Sequence, residues 1–343
     1  MTTVLVTGAS GYIAKHIVLQ LLNQGYEVRA SVRSLEKSSE VLDAVKPHLL
    51  DPAKLESRIK FVKLDLEQDS GWHEALGGVD VLMHTSTPFR IASPKDENDL
   101  IRPAVEGTLR ALRAAQAQGV TRVILTSSNA AIYGSDLPFG KTEFDETMWT
   151  DVNHPIGRIA YTKSKTLAER AAWDFVAKHP AISLTTINPV LVLGAPLDTN
   201  FGSSISVIER ILSGKDPLLP DLQFAVVDVR DVAKMHVIAM ENERTIGERF
   251  LAVAGTRSFV EIAKYLKSIY PQSKVKTGLA PTFLIKALSL FDKDIKSIIP
   301  MLGKPANASG AKAQRVLGID FIPVEVTVSE SADFLIRNGF AKA

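Results

Sequence analysis

The run Val4-Leu5-Val6-Thr7-Gly8-Ala9-Ser10-Gly11-Tyr12-Ile13-Ala14 constrains this chain more than any other segment. A short apolar run leads straight into a glycine-rich turn. Ile13, Ile17 and Leu21 then recur at the four-residue spacing of one helix face, and Gly25 supplies the stop. The pattern is strand, tight loop, helix, with the spacing G-x-x-G-x-x-A. Gly8 permits the turn. Gly11 lets the backbone approach an anion at the helix N-terminus, where unpaired N–H groups and the helix dipole favour negative charge. Ala14 is small enough for the helix to lie close on a sheet. In this context the loop predicts a dinucleotide pyrophosphate site with Gly8, Ser10, Gly11, Tyr12 and Ile13 as its contacts.

Further strands are expected over 28–32, 59–64, 79–84, 120–126 and 182–187, with helices over 104–118 and 158–178. Continuous apolar strands alternating with helices predict an α/β fold, a Rossmann-type doubly wound parallel sheet covered on both faces. After about residue 190, Pro189, Gly194, Pro196, Pro217 and Pro220 break the rhythm. A strand is expected over 224–232 and helices over 232–240, 259–269, 281–290 and 326–338. Residues 1–190 read as the dinucleotide-binding domain, with 224–241 returning to it. Residues 191–343 read mostly as a smaller mixed α/β substrate-binding domain.

A chain of 343 residues fits one large domain plus a smaller partner, and 45% hydrophobic with 23% charged residues is ordinary globular composition. Forty cations against 38 anions give +2, no field for nucleic acid. The absence of cysteine removes disulfides, thiolate nucleophiles and Cys-ligated metals, and no two of the seven His fall within one helical turn. No metal is expected. The N-terminus lacks a basic, cleavable apolar leader, and the longest uncharged stretch, near 180–198, is poor membrane-helix material. A soluble cytoplasmic protein is expected, monomer or homodimer, with a small-molecule partner.

The second strand ends in Arg29-Ala30-Ser31-Val32-Arg33-Ser34, with Lys37 a turn later. An acidic residue there would accept from an unphosphorylated ribose. A guanidinium suits a 2′-phosphate, so Arg33 and Lys37 point to NADP(H). Asp65 and Leu66, after the third strand, are placed to meet the adenine.

Tyr161-Thr162-Lys163-Ser164-Lys165 puts Tyr161 and Lys165 on one helix face, and Thr126-Ser127-Ser128 ends a strand at the ligand-binding edge. Hydride addition to a carbonyl needs a proton for the developing alkoxide. A phenol of ordinary pKa about 10 is a poor donor unless a nearby ammonium favours its anion. A serine hydroxyl can bind the carbonyl oxygen.

With these residues the chain resembles the extended short-chain dehydrogenase/reductases, specifically the dihydroflavonol-reductase-like group that includes microbial carbonyl and aldehyde reductases. The loop and Val28-to-Arg33 run match. So do His84-Thr85-Ser86-Thr87-Pro88-Phe89, Arg122-to-Ser128, Asp145-Glu146-Thr147-Met148-Trp149 and Tyr161-to-Glu169. The resemblance implies Ser128, rather than Ser127, as the catalytic serine, Tyr161 as proton donor and Lys165 as its activator. It places Thr85, Ser86 and Thr87 along the cofactor, Pro189, Val190, Leu191 and Val192 near the nicotinamide, and Ser204 as a further contact. Phe89 and Tyr133 are expected to wall an apolar pocket.

Two departures inform. The cinnamoyl-CoA reductase pattern before the catalytic Tyr is replaced by Gly157-Arg158-Ile159-Ala160, which argues against a CoA thioester. The polar selector of dihydroflavonol reductases is replaced by Tyr133. The expected function is NADPH-dependent reduction of an aldehyde or ketone. The alternatives are a hydroxysteroid- or sugar-nucleotide-type enzyme of the same superfamily, or an NADP(H)-sensing binding protein. His84 reads as a packed core histidine rather than a catalytic one.

Overall fold

The structure is a computed structural model and describes residues 1–86 and 96–342. The described strands, in chain order, are β1 (Thr3–Val6), β2 (Glu27–Val32), β3 (Ile59–Lys63), β4 (Val81–His84), β5 (Arg122–Thr126), β6 (Ser183–Pro189), β7 (Leu191–Leu193), β8 (Gln223–Asp228), β9 (Arg249–Ala252) and β10 (Gly255–Ser258). Seven of them form one sheet in the order β3-β2-β1-β4-β5-β6-β9, with every neighbouring pair parallel. The other three form a small mixed sheet in which β8 pairs parallel to β7 and antiparallel to β10.

Strand alternation splits the core in two. Along β1, Val4 and Val6 face one apolar layer and Leu5 the other; along β5, Ile124 faces the first layer, Val123 and Leu125 the second. The first layer is closed by helices Tyr12–Asn23 and Val229–Glu241, which pack on each other, and the second by Asn98–Ala117 against Ala160–Lys178. Both faces being covered explains why the strands read as unbroken apolar runs.

Two expectations change. The strand expected over 224–232 stops at Asp228, whose carboxylate accepts from the Arg230 N–H at 2.9 Å and starts a helix at Val229. Apolar Val229 and Val232 mimic a continuing strand but face the core from that helix. Of the stretch 224–241, only this helix packs against the large sheet; its strand belongs to the small one. The chain returns to the large sheet later, through β9, which extends it beside β6.

Among the described residues, no helix is long and apolar enough to cross a membrane.

Candidate active site

The sheet order reverses direction at β1, with β2 on one side and β4 on the other, which opens a crevice at the carboxyl ends of the strands. A cleft of about 440 Å³ lies there. Gly8, Ser10, Gly11, Tyr12, Ile13, Arg33, Lys37, Leu66, Thr85, Ser86, Pro189, Val192 and Ser204 all line it, as do Ser128, Tyr161 and Lys165. Gly8 has φ +64°, and a Cβ there would sit 2.2 Å from Ser86 Oγ. Its loop is braced by the Gly8 N–H donating to Ser31 Oγ at 3.1 Å and by Thr7 Oγ1 accepting from Thr85 and Ser86 N–H. Gly11 starts the first helix with no side chain capping it, so the N-terminal N–H groups are open to an anion. A pyrophosphate fits this cradle.

Asp65 departs from expectation. Its carboxylate is turned into a local bend, accepting from Glu67 N–H at 3.0 Å, and the wall beside it comes from Leu64 and Leu66. Thr87 and Phe89 lie outside the described residues. Sequence reasoning passed over Lys15. Its side chain is 1% exposed, one turn into the first helix, and its ammonium bonds Glu40 at 2.9 Å and also Asp198. Asn200 Nδ2 donates to the same Glu40 at 2.6 Å, and Tyr12 Oη donates to Gly194 O at 2.9 Å. These contacts tie the 194–204 segment across the first helix and bring Gly202, Ser203 and Ser204 to the cleft.

The two serines separate cleanly. Ser127 is committed to the core, its hydroxyl donating to buried Glu169. Ser128 caps the turn Asn129–Ala131, accepting from Ala130 N–H at 3.2 Å, and its hydroxyl is hydrogen-bonded to Tyr161. Tyr161 is 36% exposed at the cleft mouth, in the first turn of helix Ala160–Lys178. Lys165, one turn on, places its ammonium 5.9 Å from the phenol ring centre. The expected fall in the Tyr161 pKa is not what this environment produces. Desolvation pushes the phenol above its ordinary value and outweighs the opposing bond from Ser128. The Lys165 ammonium carries the larger perturbation: burial pulls it down to about 8, while the charge of Glu169 holds it up. His84 is buried with its Nδ1 3.0 Å from Thr7 Oγ1, and burial drives its pKa to about 3, so it is a neutral core residue.

Ser128 and Tyr161 also belong to the wall of a second, adjoining cavity of about 840 Å³, apolar for the most part, where Tyr133, Leu191, Val207, Phe224 and Met301 project. The dinucleotide cleft and this cavity share Ser128, Tyr161, Val190, Ser203 and Ser204.

Comparison with known proteins agrees with this geometry. The model of the NAD dependent epimerase/dehydratase family matches residues 4–252. The chain belongs to this family. It is 34% identical over 341 residues, 98% of this chain and 97% of the other, to a cinnamoyl-CoA reductase of Medicago truncatula. It is 34% identical over 288 residues, 80% of this chain and 83% of the other, to an anthocyanidin reductase of Vitis vinifera. A crystal structure of yeast methylglyoxal/isovaleraldehyde reductase complexed with NADPH superposes with TM-score 0.80 at 26% identity, covering 99% of this chain and 100% of that one. Within the family the chain sits in the dihydroflavonol-reductase-like group of extended short-chain reductases.

The group's Asp145-Glu146-x-x-Trp149 stretch acquires a physical role here. Glu169, fully buried four residues after Lys165, accepts from Arg249 Nε at 2.7 Å, Asn188 Nδ2 at 2.6 Å, and Ser127. Trp149 stacks on the Arg249 guanidinium at 3.8 Å, and Arg249 Nη1 donates to the Glu146 and Met148 carbonyls at 2.8 and 2.7 Å. Glu146 in turn accepts from Leu251 N–H at 2.9 Å. Asn188 also donates to Ser128 O at 3.1 Å. One buried polar network therefore joins β9, the motif loop, helix Ala160–Lys178 and the backbone of Ser128.

Proposed function

We propose that this protein is an NADP(H)-dependent oxidoreductase that reduces an aldehyde or ketone to an alcohol, reversibly. The observation that carries this is the hydrogen-bonded Ser128–Tyr161 pair, with Lys165 one turn on, in the wall that the dinucleotide cleft shares with the apolar cavity. Gly8, Ser10, Gly11, Tyr12 and Ile13 would hold the pyrophosphate, Arg33 and Lys37 the 2′-phosphate, and Lys165 the nicotinamide ribose. When bound, the dinucleotide supplies the hydride for the carbonyl carbon.

The rest is the work of three side chains. The Ser128 hydroxyl donates to the carbonyl oxygen and fixes its position. The Tyr161 hydroxyl transfers its proton to that oxygen as negative charge develops there. The Lys165 ammonium stabilises the phenolate left behind. The similarity to reductases, one of them holding NADPH, supports the reading. On it, residues 1–190 with the helix Val229–Glu241 hold the dinucleotide, and most of 191–343 shapes the pocket.

Loss of reduced-nicotinamide absorbance on mixing protein, NADPH and a panel of aromatic and aliphatic carbonyls tests the proposal. Tight NADPH binding with silence across the panel would leave a sensing protein instead. Arg33 is exposed at the cleft, so Arg33→Asp should raise the NADPH Kd about 10- to 100-fold, the value of a charge-assisted contact. NADH should lose far less; equal losses for both cofactors would remove Arg33 from the 2′-phosphate site.

A further inference from the structure

The large cavity is apolar for the most part, and among the described residues the charges that line it are of one sign. Among the described residues, Arg158 and Lys296 line it, and no Asp or Glu does. Both cations are exposed, and among the described residues neither is held in an ion pair or side-chain hydrogen bond. They come from separate elements: Arg158 from the turn that leads into the catalytic helix, Lys296 from helix Lys293–Ile298. Two unanswered cations on one concave, low-dielectric wall focus a positive potential on what enters.

From this the geometry points to a carbonyl substrate that also carries a carboxylate, its carbonyl at Ser128 and Tyr161 and its carboxylate toward Arg158 and Lys296. This rests on the reductase reading above and narrows it to oxo acids. Arg158 precedes Tyr161 by three residues, so their Cα atoms lie at most about 11 Å apart by chain reach. A substrate with a short apolar spacer between carbonyl and carboxylate is of a length that this bound allows. A guanidinium matches a carboxylate through two parallel N–H donors, which gives orientation as well as attraction.

The test compares 4-oxo-4-phenylbutanoate with its methyl ester, which keeps the aryl ketone and removes the charge. With NADPH, wild-type kcat/KM should favour the acid about tenfold, carried mainly by KM, and added salt should erode the preference. In Arg158→Gln/Lys296→Gln the acid-to-ester ratio should fall to about one. An ester turned over as well as the acid by the wild type, or a preference that survives in the double variant, overturns the carboxylate subsite while the reductase reading stands. If neither ketone is reduced, calorimetric titration of the acid into protein with saturating NADP+ decides: binding that is lost in the double variant supports the subsite, and no binding overturns it. Failure of every carbonyl in the wider panel is the separate result that removes the reductase reading.

Discussion

Tyr161→Phe is expected to lower carbonyl turnover by about 10²- to 10⁴-fold, the range of a positioned general acid, with the Kd for NADPH nearly unchanged. The substitution removes one oxygen from a ring that is 36% exposed at the cleft mouth, so the fold should tolerate it. Single-turnover rates with bound NADPH separate the chemical step from cofactor capture. Full turnover in the variant would assign the proton to another group.

The pH profile follows from Lys165 rather than from the phenol. Burial lowers the lysine to about 8, so its ammonium is present below that pH and is lost as pH rises through it. The phenol, raised by desolvation, stays protonated over the same window. Reductive kcat/KM for NADPH reports the free enzyme and should therefore decline above about pH 8. A profile flat up to the ordinary lysine value of about 10.4 would show that burial does not lower Lys165.

The parts legible in sequence are those in which a local pattern sets the structure. Gly8 and Gly11 stand at fixed offsets between an apolar run and a helical repeat, and the chain folds there as that pattern requires. Tyr161 and Lys165 are one helical turn apart, so their shared face follows from spacing alone. What escaped depends on distant partners. Lys15 looks like a solvated helix lysine until Asp198, 183 residues later, folds over it. The strand β9 is only four residues long and stands between the helices expected over 232–240 and 259–269, with no repeating pattern beside it to announce it. Its visible trace is the apolar run Phe250-Leu251-Ala252-Val253, all of it buried. The end of β8 is hidden in sequence because valines continue on both sides of Asp228, and a capping carboxylate is a weaker signal than an apolar run. Glu169 stands out in sequence only as part of the family pattern Tyr161-to-Glu169, since nothing near it announces Arg249, 80 residues on.

That buried pair should show the largest stability effect in the molecule. Arg249→Met leaves the Glu169 carboxylate in the core with its main cationic partner gone, and Trp149 loses the guanidinium it covers. Breaking a buried pair from one side costs about 3–5 kcal/mol, which for a chain of this size lowers Tm by about 4–7 °C. Thermal unfolding measures it directly. Glu169→Gln should be comparably destabilising, because it strands the arginine instead. It should also do what Arg249→Met does not. With the supporting charge gone, the Lys165 pKa drops further, and the alkaline decline in kcat/KM for NADPH moves to lower pH. Joining Glu169→Gln and Arg249→Met removes both charges together, so the combined loss should fall well short of the sum of the single losses. Additive losses would mean that the two side chains are independent and that β9 is not coupled through them to the catalytic helix. A Glu169→Gln profile that stays in place would leave the pair a purely structural tie.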